Sequence, residues 1–210
     1  HCVTRRQRQM CIRDSVLLHQ TINGNEAILQ MEQAGDYPDI IVGCTGGGSN
    51  LAGLMFPFLG QQLRGGQKID IIGCEPLSCP SFTKGKYAYD HGDMARMTPL
   101  IKMHTLGSDF LPPANHSGGL RYHGMSYHLS HLYDLGLMRA KAYGQKDCFE
   151  AGVIFGKQEG IIPAPEGNHA VKGAMDAALE CKEKGESKTI LFNLCCLLYT
   201  SDAADELRSV

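Results

Sequence analysis

The 210-residue chain has no apolar run of about 18 residues, which excludes a membrane-spanning helix. It has almost no excess charge. Twenty Lys and Arg stand against 22 Asp and Glu, a formal −2, so nothing draws it electrostatically to nucleic acid or an acidic membrane. No two of its nine cysteines have C-x-x-C spacing, which leaves a zinc ribbon or a thioredoxin motif without support. An odd count also cannot close a fully paired secreted framework, and a reducing cytoplasm is the simplest compartment. Aromatics are few, at 7%. The remaining composition, 43% hydrophobic and 20% charged, suits a globular chain long enough to bury a core. Glycine is abundant, at 25 residues with no collagen-like period, and points to loops that depend on backbone.

The two ends do not read like the middle. Residues 1–15 hold Arg5, Arg6, Arg8 and Arg13 with no apolar period and no signal-peptide core. Residues 195–210 break abruptly into the strand-like TILFNL. Both ends resemble translated sequencing-adapter read-through and are expected to be non-native; a basic arm is the other reading of residues 1–15. Four of the nine cysteines (Cys2, Cys11, Cys195, Cys196) lie in these ends. The expected domain is therefore residues 16–194.

Within it, apolar spacing predicts a helix over 25–34 and a buried strand over 39–44. A helix follows over 50–63, with Ser49 as its N-cap. A second buried strand covers 68–74, and residues 75–126 read as irregular. Then come a helix over 127–135, a strand over 137–143, helices over 147–157 and 166–184, and a last strand over 189–194. This alternation implies an α/β domain with a mainly parallel sheet and flanking helices.

Strand, TGGGSN, then helix is the strongest chemical signal. Three successive glycines let backbone amides converge, and the helix start adds unpaired N–H groups and a positive dipole end. This makes a phosphate site; a tight turn without a ligand is the bland alternative. It is neither a P-loop nor the G-x-G-x-x-G dinucleotide fingerprint. No lysine adjoins the loop, which disfavours nucleoside triphosphates and favours a single phosphate, as in pyridoxal phosphate. His123, His128 and His131 have no further ligand at convincing metal spacing, so no metal site is expected. His169 reads as a packed histidine.

Several segments in order, VLLHQTINGNEA, PDIIVGCTGGGSNLAG, YAYDHGD, SGGLRYHGMS, EGIIPAPEGNHAVKGA and TILFNL, resemble the tryptophan synthase β chain, in its second, divergent class. The resemblance covers nearly all of residues 16–194. It implies the larger, cofactor-phosphate domain of a fold-type-II pyridoxal-phosphate enzyme, here truncated. The reaction implied is a carbon–oxygen lyase's β-replacement: L-serine loses water and indole adds, giving L-tryptophan. By that resemblance Gly46, Gly47, Gly48, Ser49 and Asn50 form the phosphate cup. Glu166 lies beside the cofactor ring, although it also suits a plain helix start. Gly119 and Arg121 fall on the substrate side, where Arg121 pairs with a substrate carboxylate or is a surface arginine.

The family's Schiff-base lysine and acid/base glutamate lie upstream of the matched region, so no catalytic residue is carried over. The serine expected after Leu194 is replaced by Cys195 and Cys196. The chain alone is therefore expected to be inactive, its parent being a cytoplasmic homodimer. Association with an α chain and O-phosphoserine as donor stay open. Another fold-type-II enzyme (a serine/threonine dehydratase or cysteine synthase) or a non-catalytic phosphate-binding remnant are the alternatives.

Overall fold

The structure is a computed structural model and describes residues 16–195, 197 and 198. The expected foreign ends lie outside the described residues, apart from Cys195, Leu197 and Leu198. These three run beside the body: Cys195 approaches Cys44, Leu197 bridges to Pro163, and the Leu198 amide donates to the Ile162 carbonyl.

The described residues open with α1 (Leu17–Ala34), then β1 (Ile40–Cys44), α2 (Ser49–Leu63) and β2 (Asp70–Pro76). A hairpin, β3 (Lys86–His91) and β4 (Leu100–Thr105), follows. Next come α3 (Tyr127–Asp134), β5 (Arg139–Tyr143), α4 (Gln145–Glu159), α5 (Gly167–Lys184) and β6 (Ile190–Phe192). Four strands form a parallel sheet in the order β5-β2-β1-β6. Ile40 stands opposite both Asp70 and Ile190, which places β1 at the centre.

Strand alternation sorts the core into two faces. Ile41 and Ile71 point toward α1, α2 and α3, among Leu51, Met55, Phe58 and Leu129. Ile40, Val42, Ile72 and Cys74 point the other way, against Ala177 and Cys181 of α5 and Cys148 of α4. With both faces covered, β1 and β2 are continuous apolar runs, as parallel strands between helix layers must be. Among the described residues no helix is long and apolar enough to cross a membrane.

Four expectations are corrected. Helix α1 starts at Leu17, eight residues before the predicted start. Its first half is polar and holds Gly24, but there α2 crosses so closely that a Cβ on Gly24 would stand 2.4 Å from the Leu54 carbonyl oxygen. Ser49 is not the N-cap: Gly48 occupies that place with φ 92°, and Ser49 is the first helical residue. The stretch 75–126 is not all irregular, since β3 and β4 pair antiparallel from Lys86–Thr105 to His91–Leu100. Neither KYAYDH nor LIKMHT alternates apolar with polar residues, so the pattern that betrays a strand is missing. The last strand spans only three residues.

The hairpin positions the next loop. The Met125 amide donates to the His104 carbonyl at 2.9 Å, and the Leu106 amide to the His123 carbonyl at 2.7 Å. Arg139 holds β5 to β2 through Asp70 at 2.7 Å, and Lys141 holds it to Glu180 of α5.

Gly173 is where α5 touches the sheet: a Cβ there would stand 2.3 Å from Cys74 Sγ and 2.9 Å from Val42 Cγ1. Gly173→Ala gains about 1 kcal/mol of helix propensity. It should nevertheless destabilise the fold by about 1–3 kcal/mol through overpacking. Urea unfolding measures this, and adding Cys74→Ala should recover much of the loss.

His104 packs face to face with Tyr87 and edge-on to Tyr133, and neither ring nitrogen has a hydrogen-bond partner. Burial pushes its pKa below the ordinary imidazole value, against the pull of Asp134. The folded state thus holds it neutral, whereas the unfolded chain protonates it near pH ~6.5. Stability is complete above that pH and falls as pH drops from it toward the depressed folded value. Denaturation at a series of pH values should show a shallower acid loss in His104→Phe; His169, pushed down by its own burial, adds a loss of the same sign, and Asp90, Asp93 and Glu180, held below the usual carboxylate range, add theirs at lower pH.

Candidate functional site

The end of β1, the start of α2 and loop 117–126 meet at one point. Residues 45–48 turn the chain from strand to helix. The Thr45 amide donates to the Cys74 carbonyl at 2.8 Å, and the Gly47 carbonyl accepts from the Ser126 amide at 3.0 Å. Gly48 is in the left-handed region, where a side chain is strained. Behind it stand Met125 and Leu129.

Between these anchors the backbone donors are left over. Among the described residues, none accepts a hydrogen bond from the backbone N–H of Gly46, Gly47, Gly48, Ser49 or Asn50. Thr45 Oγ1 is buried without a partner beside them. Five adjacent donors at a helix start make a cradle whose donor chemistry suits an anion. None of the residues nearest the three glycines is a lysine or arginine.

Loop 117–126 closes over this cradle. A Cβ at Gly46 would stand 2.8 Å from both the Gly119 carbonyl oxygen and Leu120 Cα. The Tyr122 ring lies against Gly46 and Gly47 and helps wall a cavity of about 70 Å³ with Met125 and Ser126. Glu166 sits at the N-cap position of α5 without capping it. Its Oε1 instead accepts from the Gly119 amide at 2.9 Å, so it fastens the covering loop. The structure therefore brings Gly46, Gly47, Gly48, Gly119 and Glu166 together. Arg121 turns away, donating from a terminal nitrogen to the Pro112 carbonyl at 2.6 Å.

Two groups near the ends of β1 and α5 are held uncharged. Cys44 Sγ stands 3.7 Å from Cys195 Sγ, and that contact together with burial pushes the Cys44 thiol up, keeping it protonated. His169 is buried with Nδ1 at 3.1 Å from the Pro165 carbonyl, and burial pushes its pKa down. Sequence reading overlooked Asn193, whose side chain donates to Asn50 Oδ1. Its one signal was a polar residue closing the apolar run TILFNL. Among the described residues no group of three or more His, Cys, Asp or Glu could hold a metal ion.

A family model described as pyridoxal-phosphate dependent enzyme matches residues 16–195. The chain belongs to the pyridoxal-phosphate-dependent enzyme family. It is 57% identical over 182 residues to the tryptophan synthase beta chain 2 of Aquifex aeolicus, covering 85% of this chain and 42% of that protein. It is 55% identical over 179 residues to the tryptophan synthase beta chain 2 of Methanosarcina mazei, covering 85% of this chain and 40% of that one. The chain thus spans about two fifths of the length of these curated relatives. A solved crystal structure, that of a T.th. threonine deaminase, superposes with a TM-score of 0.58 at 16% identity. The match covers 85% of this chain and 55% of that one, and shows the fold.

Pyridoxal phosphate, the cofactor of this family, carries one phosphate, and a neutral cradle of five amides fits one phosphate. Gly46→Ala forces the covering loop off the cradle. Affinity for pyridoxal phosphate should fall at least roughly tenfold, the equivalent of about 1.4 kcal/mol, by fluorescence titration. Unchanged affinity would show that the cradle does not hold the phosphate.

Proposed function

We propose that this chain is the cofactor-phosphate part of a tryptophan synthase β-type lyase whose longer form condenses L-serine with indole to L-tryptophan. The observation that carries the reading is the set of five backbone amides at the start of α2 that find no acceptor among the described residues. The identity with tryptophan synthase β chains supports it.

In this reading Gly46, Gly47, Gly48, Ser49 and Asn50 bind the phosphate, using N–H dipoles and the helix start in place of a cation. Pyridoxal phosphate, when bound, supplies the electron withdrawal that activates the substrate's α and β carbons. Glu166 keeps the loop through Gly119 closed beside the cofactor ring. Gly119 and Arg121 form the substrate side, Arg121 exchanging the Pro112 carbonyl for a substrate carboxylate. Met125 and Leu129, packed behind Gly48, exclude water from the rear of the cradle. The longer protein is a cytoplasmic homodimer in this reading; the six free cysteines among the described residues suit a reducing compartment.

The 210-residue chain alone is proposed to be inactive: among the described residues, none of those nearest Gly46, Gly47 and Gly48 is a lysine able to hold the cofactor covalently. Mixed with pyridoxal phosphate, L-serine and indole, it should form no tryptophan. Inorganic phosphate should compete with pyridoxal phosphate for it. Tryptophan formation by the chain would overturn its inactivity, and absence of competition would overturn the cradle. The longer protein should make tryptophan; pyruvate in its place would mark a dehydratase.

A further inference from the structure

Asn50 presents an ambiguity that a neutral anion site has to resolve. Its side-chain amide ends in an oxygen on one branch and an NH₂ on the other, similar in size and opposite in hydrogen-bonding sense. The nitrogen attracts a phosphate oxygen and the oxygen repels it. Among the described residues, none of those nearest Gly46, Gly47 and Gly48 is a lysine or arginine, so the orientation of each dipole decides how well an anion is held.

One end of that amide is spoken for. Asn193 Nδ2 donates to Asn50 Oδ1 and also lies 3.4 Å from the Asn50 backbone carbonyl. Asn193 is itself anchored: it directly follows β6, and its backbone amide donates to the Val42 carbonyl of β1 at 2.9 Å. With its oxygen engaged, Asn50 has only N–H bonds to offer. Among the described residues, none accepts from Asn50 Nδ2.

We propose that Asn193 is a positioning residue for the cradle: by occupying Asn50 Oδ1 it fixes the Asn50 amide as a donor toward a bound phosphate monoester. This deepens the proposed function and rests on the reading of residues 46–50 as a phosphate site. Asn193 acts through Asn50 alone. Its loss costs more than one hydrogen bond, since a reversed Asn50 sets a lone pair against the phosphate.

Asn193→Asp keeps the shape but only accepts, so Asn50 turns its NH₂ inward and its oxygen toward the anion; the substitution also adds a negative charge, whose repulsion the uncharged Asn193→Ala lacks. Asn193→Ala removes the constraint without reversing it. The 210-residue chain and both variants are titrated with pyridoxal phosphate and with inorganic phosphate. The ³¹P resonance of bound pyridoxal phosphate and the thermal midpoint are recorded alongside. The dissociation constants should rise at least roughly tenfold for Asn193→Asp and by a smaller factor for Asn193→Ala. The ³¹P resonance should move while the thermal midpoint stays close to that of the unaltered chain. If the unaltered chain binds and both variants bind equally well, the role of Asn193 is overturned and the cradle stands. Weakening that only tracks a falling midpoint, with an unmoved resonance, also overturns it. If the unaltered chain binds neither probe, the cradle reading falls and this inference with it. Should Asn193→Asp fail to fold, Asn193→Ala carries the same comparison.

Discussion

At Gly46 two stretches of backbone touch. The loop through Gly119 and Leu120 lies so near that not even a methyl group fits between. The central strand β1 delivers the glycines to this contact. Glu166, at the head of α5, holds the other side of it by the Gly119 amide. The hairpin β3–β4 and Ser126, the N-cap of α3, brace the same loop. Because interiors are close-packed, one missing Cβ here sets the spacing between three elements that are far apart in sequence.

The electrostatic character follows from that packing. Oriented amides line the turn, and the buried thiol of Cys44, held protonated, directly precedes it. Fixed dipoles cost no reorganisation when a charge arrives and lose little to screening when water is excluded. A site of this kind suits one phosphate better than a chain of them, which calls for cations.

Much of this was legible along the chain. IIVGC and DIIGC read as buried strands because both their faces are covered, and TGGGSN read as a turn from strand into helix from local chemistry alone. The polar first half of α1 hid a helix, since its stability comes from crossing α2 at Gly24 rather than from an apolar stripe. The hairpin escaped because its strands, KYAYDH and LIKMHT, carry no apolar–polar alternation. The capping role expected of Ser49 went to Gly48, whose left-handed backbone turns the chain into the helix.

The sequence by itself determined the class of fold, the glycine cradle and the family resemblance. Each is written in residues that are neighbours along the chain or repeat at a helical or strand period. Tertiary structure alone decided that Glu166 holds Gly119, 47 residues away, and that Asn193 holds Asn50, 143 residues away. It also turned Arg121 toward Pro112. Pairings of this kind leave no local periodicity, because the partners meet only when the sheet and its two helix layers have packed.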